Sequence, residues 1–275
     1  MLFKKIVITL ILTLLVVSCS HRTKHFNSSV VEFLYPDKVD PVESPQIPRL
    51  SLPLKVGVAF VPSQMGYQQN FTEQSKQVLM REVSEDFKRY PFVKSIEIIP
   101  SAYLKPRGSF ANIDQLHSMF GVDVVALLSY DQTQFNDRGL ASITYWTLVG
   151  AYIIQGEKND THTMLDAAVY HIPSRKMLFR APGISHIKSS ATPVNLSEQQ
   201  RIDSMAGFKE ASADLVVNLE GQLRLFQERV KDSPEEFEVV HKPGYTGGGS
   251  LDTFFLFLIM MIGVSGVWLV KQQKK

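Results

Sequence analysis

The chain has 275 residues, of which 44% are hydrophobic and 20% are charged, with 16 glycines and 14 prolines. This composition excludes a disordered or collagen-like chain, and a single cysteine excludes an internal disulfide. Residues 19–250 hold 24 of the 29 basic and 26 of the 27 acidic side chains. This part of the chain therefore has a slight excess of acidic side chains and lacks the excess of basic residues typical of a nucleic-acid-binding protein.

The start of the chain, from Met1 to Ser18, has the layout of a secretory signal peptide. Lys4 and Lys5 precede an uncharged stretch from Ile6 to Val17. A helix of that length spans only about 18 Å, well short of the roughly 30 Å hydrocarbon core of a bilayer. We therefore interpret residues 1–18 as a cleaved export signal rather than a permanent membrane span.

The end of this signal contains Val16, Val17, Ser18 and Cys19, which resemble the lipobox of bacterial lipoproteins. The resemblance implies that signal peptidase cuts before Cys19 and that the Cys19 sulfur carries a membrane lipid. It also implies onward transport to the outer membrane, because Ser20 replaces the Asp that would retain the protein at the inner membrane. The alternative is a cysteine that merely ends the apolar part of a signal peptide.

The next segment, residues 19–53, contains five prolines and is predicted to form an extended tether. A folded domain is predicted over residues 54–231. Its first half is predicted to contain a strand at 54–61, a helix from a capping box at Asn70 to about Tyr90, a strand at 92–99, a helix at 112–120 and a strand at 122–129.

The second half of the domain is predicted to be antiparallel, because its strands follow one another with short connections. The predicted elements are strands at 143–154, 161–172 and 177–181, a polar turn at 156–160 and a helix at 195–230. One stripe of that helix is continuously apolar, consisting of Val216, Leu219, Leu223, Phe226 and Val230. The stripe either packs on the sheet or mediates self-association.

Together these elements predict an α/β fold with a mixed β-sheet and packed helices in the order β-α-β-α-β-β-β-α. This order is similar to that of the periplasmic α/β domain in several outer-membrane assembly lipoproteins. The similarity is one of element order and carries no functional residues across.

The end of the chain has three parts. Residues 232–250 form a predicted flexible spacer that ends in Gly247, Gly248 and Gly249. The uncharged run Thr253–Val270 is long enough for a transmembrane helix within a tail of residues 251–275. The lysines that follow place the end of the tail in the cytoplasm and the body in the periplasm. A buried core helix is the other interpretation of the run.

Glycines, an apolar span and a basic end resemble the GlyGly-CTERM sorting signal that the rhomboid-type protease rhombosortase cuts. The combination of this tail with the lipobox resembles the rhombotarget lipoprotein family. The resemblance implies cleavage within or just after Gly247–Gly249, where unwound backbone is accessible to the protease. A glycine-rich linker before an ordinary anchor is the alternative.

No recognised catalytic, metal-binding or cofactor-binding motif occurs in the chain. The seven histidines do not have the spacing of a known zinc motif, and no nucleophile elbow, phosphate loop or dinucleotide fingerprint is present. The carboxylates Asp123, Asp131, Asp137 and Asp166 could meet in space, but positions in solvated loops are the favoured interpretation. The sequence therefore predicts a protein that is not an enzyme, with no catalytic residues, no metal ligands and no cofactor.

The leading hypothesis is a non-catalytic envelope lipoprotein, anchored through Cys19 and processed by signal peptidase and rhombosortase, whose body binds an envelope protein or component. Its expected location is the outer membrane or the cell surface. The alternative is a subunit of an oligomeric outer-membrane assembly or secretion complex, which requires self-association. A periplasmic hydrolase built from the four carboxylates is a third, weaker hypothesis.

Overall fold

The computed structural model describes residues 22–36, 46–63, 71–138 and 157–243, together with residue 245. The elements are β1 (Arg22–Asn27), α1 (Val30–Leu34), β2 (Arg49–Leu52), β3 (Leu54–Phe60), α2 (Glu73–Glu85), β4 (Val93–Ile98), α3 (Ser109–Phe120), β5 (Val124–Arg138), β6 (Glu157–His171), β7 (Lys176–Ala191), α4 (Leu196–Asp232) and β8 (Glu238–His241).

The main sheet is mixed, as predicted. Its strand order is β4-β3-β5-β6-β7, with β3 parallel to both β4 and β5, and β6 antiparallel to β5 and β7. β1 pairs antiparallel with the upper part of β5, beyond the part that pairs with β3. A second, small sheet pairs β2 with β8 in parallel.

Helices cover both faces of the main sheet, so the core has two sides. On one face α1 and α3 pack on Ala59, Leu127 and Tyr170. On the other face α2 and α4 pack on Val58, Leu128 and neighbouring side chains. We refer to these as the α3 face and the α4 face.

The α4 face changes in chemistry along the length of the strands. Its lower half is apolar, whereas its upper half buries polar side chains of β5 and β6 beneath the first turns of α4. Gln132 Nε2 donates to Thr163 Oγ1 at 2.8 Å, and the Ser204 hydroxyl donates to Gln132 Oε1 at 2.6 Å. Gln134 Nε2 donates to the carbonyl of Gln200 at 2.8 Å. These bonds satisfy groups that would otherwise be costly to bury.

This polar half explains why the strands are longer than predicted. The predictions ended one strand at 129 and another at 181, whereas β5 continues to Arg138 and β7 to Ala191. The predicted polar turn over 156–160 was also wrong for residues 157–160, which begin β6. Buried polar residues remove the alternation of apolar and polar residues by which sequence analysis recognises a strand.

α4 packs against the sheet along its apolar stripe, as the first of the two interpretations predicted. Leu219, Leu223 and Phe226 are buried against the strands. Close approach is possible because Gly183 faces the helix: a Cβ there would lie 2.2 Å from the carbonyl oxygen of Ala211. Asn195 stands at the N-cap, but its side chain accepts hydrogen bonds from Thr192 instead of the helix.

Several segments outside the predicted elements are also ordered parts of the fold. Residues 22–27 and 30–34, which we expected in the tether, form β1 and α1, and β2 lies in the same predicted tether. Residues 238–241 of the predicted spacer form β8. α2 begins at Glu73 with Thr72 as its N-cap, because the Thr72 hydroxyl accepts from the Ser75 amide at 3.2 Å.

The predicted strand at 143–154, the signal peptide and the tail at 251–275 lie outside the described residues. Among the residues that are described, no helix has both the length and the apolar character needed to cross a membrane.

Candidate apolar binding cavity

A cavity of about 540 Å³ opens in the lower half of the α4 face. The floor is formed by β3, β5 and β6, and the walls by α2, the C-terminal half of α4 and the β2–β8 pair. Ligand pockets typically have volumes of about 300–1,000 Å³, so the space is large enough for a small molecule or a lipid chain.

Strand alternation builds part of the floor and one wall of this cavity. Leu50, Leu52, Leu54, Val56 and Val58 follow one another at every second position through β2 and β3, and all of them line the cavity. Because successive strand residues point to opposite faces, this spacing places Leu50 and Leu52 on one side of β2, and Leu54, Val56 and Val58 on one side of β3. The apolar stripe of α4 lines the facing wall through Leu219, Leu223, Phe226 and Val230.

Residues of β4, β3 and β5 that line this cavity are accessible to solvent. Val56, Ile96 and Ala126 lie on three adjacent strands, and each is only half-buried. On the opposite face their neighbours Ala59, Val125 and Leu127 are fully buried. In its lower half the sheet is therefore closed on the α3 face and open on the α4 face.

Polar groups of the cavity lie mostly at one end. Lys231 near the end of α4, His241 of β8 and Tyr245 border it there. The His241 and Tyr245 rings stack with centroids 5.5 Å apart, and burial raises the pKa of the Tyr245 phenol. Deeper inside, the Ser84 hydroxyl donates to the carbonyl of Met80 at 2.5 Å. The geometry suits an amphiphilic ligand with an apolar body and a polar head.

The residues predicted from the sequence as processing sites lie outside the described part of the chain. These residues are Val16, Val17, Ser18, Cys19, Gly247, Gly248 and Gly249. The nearest described residues are Arg22 at the N-terminal side and Tyr245 at the C-terminal side. Arg22 pairs with Asn136 at the upper end of the sheet, whereas Tyr245 borders the cavity at the lower end.

The four carboxylates considered as a hydrolytic site do not converge. Asp123 accepts from Lys242 Nζ at 3.4 Å, Asp131 contacts His25 Nε2 at 3.0 Å, and Asp166 accepts from Arg180 Nε at 2.6 Å. Asp137 lies near the far end of β5, well removed from Asp123 along the strand. Burial raises the pKa of Asp166 even though Arg180 opposes the shift.

Two features of the structure were missed by the sequence analysis. The cavity could have been anticipated from the unbroken alternation of apolar residues from Leu50 to Val58, which crosses the predicted boundary between tether and domain. The second feature is a cluster of Asp160, His162 and His186, which no linear spacing reveals because His186 lies on a different strand.

Comparison with known proteins adds little to this description. No protein-family model matches the sequence, and no curated protein matches it. Among matching solved structures is a neuraminyllactose-binding hemagglutinin homolog from Helicobacter pylori, at 10% identity and a TM-score of 0.38, with 70% of this chain and 96% of that chain covered. A similarity at this level carries no argument about function.

Proposed function

We propose that this protein is a non-catalytic envelope lipoprotein whose body binds the acyl chain of an envelope amphiphile. In this proposal Cys19 carries the membrane lipid, and the tail after Gly247, Gly248 and Gly249 is removed by rhombosortase. The observation that carries the binding function is the open apolar cavity of about 540 Å³ on the α4 face. The processing steps rest on the sequence resemblance alone.

The chemistry of the cavity favours a ligand with a long apolar part and an anionic head. Its walls are built almost entirely of aliphatic and aromatic side chains. Displacement of water from these walls by an alkyl chain therefore favours binding. Lys231 stands at the border and can pair with a carboxylate or phosphate. Binding would require no conformational change, because the cavity is already formed.

The two predicted anchors would attach at opposite ends of the body. Cys19 is three residues before Arg22, so a lipid there holds the upper end of the sheet within about 10 Å of its attachment point. Val124 and Asn136 mark the lower and upper parts of β5, and the strand between them is about 40 Å long. Tyr245, at the cavity, is only two residues before Gly247.

Tail removal would therefore change the distance between the cavity and the membrane. While the tail spans the inner membrane, the cavity end is held against the bilayer, and an acyl chain can enter it over a short path. After cleavage the N-terminal lipid holds only the opposite end, and the cavity end is free to move away. This sequence of events links the predicted processing to the loading of a lipid ligand.

A chain-length series tests the binding function. In detergent-free buffer, a fragment of residues 20–246 should bind palmitate with one-to-one stoichiometry in isothermal titration calorimetry. Each methylene contributes about 0.8 kcal/mol, so myristate, with two fewer, should bind about tenfold more weakly or worse. A dissociation constant independent of chain length would contradict burial of the chain.

A cavity-filling variant locates the site. Ala126→Phe places a ring in the space above β5 and should weaken palmitate binding at least tenfold while leaving the thermal midpoint equal or higher. Val217→Phe is the matched control, because Val217 is 68% exposed on the outer surface of α4. Equal binding by both variants would exclude this cavity as the site.

Processing is tested in cells of a native or related host. Replacing Gly247, Gly248 and Gly249 with Leu should block tail removal, because leucine extends the helix where glycine unwinds it. Cys19→Ala should abolish incorporation of labelled fatty acid. Mature protein whose intact mass still includes residues 251–275 would contradict the processing scheme.

The alternative is a subunit of an oligomeric assembly complex. Its supporting observation is a ridge on the outer surface of α4, where Val217 and Leu225 are exposed two turns apart with the uncrowded Gly221 between them. Native mass spectrometry of the fragment distinguishes the two functions. A monomer at micromolar concentration would exclude the alternative, whereas a defined ring or multimer would favour it.

A further inference from the structure

The upper part of the α3 face carries a row of histidines. Of the described helices, α1 and α3 cover only the lower part of this face, around Leu127, Ala168 and Tyr170. Above it, the register places His25, Thr133, His162 and His186 side by side on four neighbouring strands. This surface is independent of the cavity and lies on the opposite side of the sheet.

Two of these histidines converge on one carboxylate. His162 and His186 are direct cross-strand partners, and their rings stack with centroids 4.1 Å apart and planes 19° from parallel. Asp160 precedes His162 by two residues and therefore projects from the same face. Asp160 Oδ1 lies 3.2 Å from His162 Nε2 and also contacts His186 Nε2.

The three side chains are close enough together to bind one transition metal ion. One ligand atom from each of Asp160, His162 and His186 lies within 4.8 Å of the other two. Zinc bonds of about 2.0–2.2 Å in tetrahedral geometry place neighbouring ligand atoms about 3.3 Å apart. Both Nε2 atoms already lie next to the same carboxylate oxygen, so the three donor groups are in one place on the surface.

We propose that Asp160, His162 and His186 form a binding site for Zn²⁺ or a chemically similar divalent metal ion. Two imidazoles and one carboxylate are a donor set that suits zinc, copper and nickel and is a poor match for magnesium or calcium. All three side chains are between 39% and 52% exposed, so the ion can enter from solvent without opening the fold.

The surroundings leave coordination positions free. A shallow depression beside the two histidines is bordered by Asp131, Met164 and Ile184 and has a volume of about 600 Å³. Three protein ligands leave at least one position of a tetrahedral ion for water or an incoming ligand. Lys188 is the direct cross-strand neighbour of Asp160 and opposes the ion electrostatically, but its exposed side chain is long enough to turn away.

Zinc titration of the full chain, purified in detergent through a tag without histidines, tests the site. We expect one Zn²⁺ per chain and a saturable isotherm. His162→Gln, His186→Gln and Asp160→Asn should each weaken zinc binding at least about tenfold. Losses of that size already occur when a residue that only hydrogen-bonds to a metal ligand is removed. His25→Gln is the matched control, because His25 lies on the same face but pairs with Asp131.

A spectroscopic measurement distinguishes direct ligation from a simple hydrogen-bonded cluster. Cu²⁺ bound at the site should show coupling to two imidazole nitrogens in electron paramagnetic resonance, and one nitrogen fewer in His162→Gln. The exposed positions of these residues predict that the metal-free variants unfold at the same temperature as the wild type. Absence of saturable zinc binding, or equal zinc affinity in the wild type and both histidine variants, would overturn the proposal.

Discussion

Gly183 sets the distance between α4 and the sheet, so Gly183→Ala should strongly destabilise the fold. A Cβ there would lie 2.2 Å from the Ala211 carbonyl oxygen and 2.6 Å from both the Leu215 amide nitrogen and Cβ. Backbone atoms cannot rotate away, so the helix must move until the contact exceeds at least about 3.0 Å. Overpacking usually costs about 1–3 kcal/mol, and a backbone obstruction belongs at the upper end.

Thermal unfolding followed by circular dichroism measures this effect. At about 2–4 °C per kcal/mol for a domain of this size, a loss of about 3 kcal/mol lowers the midpoint by roughly 6–12 °C. Gly221→Ala on the same helix is the control, because a Cβ there meets nothing within 4 Å. It should gain up to about 1 kcal/mol from helix propensity. A Gly183→Ala midpoint equal to the wild type would refute the close-approach argument.

Two further predictions concern buried polar side chains. Burial lowers the pKa of His171 from 6.5, so the unfolded chain takes up a proton more readily than the folded one. The unfolding free energy should therefore fall as pH drops below about 6.5, and His171→Gln should flatten that slope in urea titrations between pH 7.5 and 5. Asn112 accepts from the Lys105 amide at 2.8 Å and donates to the Tyr103 carbonyl at 3.1 Å. Asn112→Ala should cost about 1–3 kcal/mol, and Asn112→Asp should cost no less, because its buried carboxylate cannot donate to the Tyr103 carbonyl; wild-type stability of either variant would contradict this assignment.

The apolar half of the molecule could be predicted from the sequence because burial leaves a periodic signature. The strand at 54–61 and the stripe of α4 were recognised by alternation and by helical spacing, and the structure places them as expected. The hairpin between β6 and β7 was recognised from the turn residues Pro173–Lys176. In each case the residues that carry the signal are the residues that are buried.

The elements that the sequence did not predict are those whose buried residues are polar or whose strands pair with distant parts of the chain. The upper parts of β5 and β6 bury Gln132, Gln134, Asn136 and Asn159 through hydrogen bonds, which depend on partners far away in sequence. β2 and β8 are short strands that pair with one another although β2 lies before β3 and β8 lies after α4 along the chain. No local pattern reports such a pairing, and the same is true of the Asp160 cluster.

The division of the α4 face also explains how the cavity stays open. A cavity persists only where its walls cannot collapse, and α4 is one continuous helix of 37 residues. Its first half is fixed by hydrogen bonds from Gln132 and Gln134 and by close contact at Gly183. In the second half, Phe226 of the cavity wall packs against Phe237. The contacts of the polar half therefore hold α4 at a fixed distance from the sheet over the apolar half. We call these contacts the clamp.

This clamp predicts that a residue far from the cavity should control ligand binding. Gln132→Leu removes the partner of the buried Ser204 hydroxyl and should cost about 1–3 kcal/mol of stability. It should also weaken palmitate binding, because α4 can then move toward the sheet and close the cavity. Only the fraction of molecules with an open cavity would bind palmitate, so the apparent affinity would fall. The double variant Gln132→Leu, Ser204→Ala removes the orphaned group and should recover part of the stability without restoring the clamp. If both variants bound palmitate as tightly as the wild type, the polar half would not hold the cavity open.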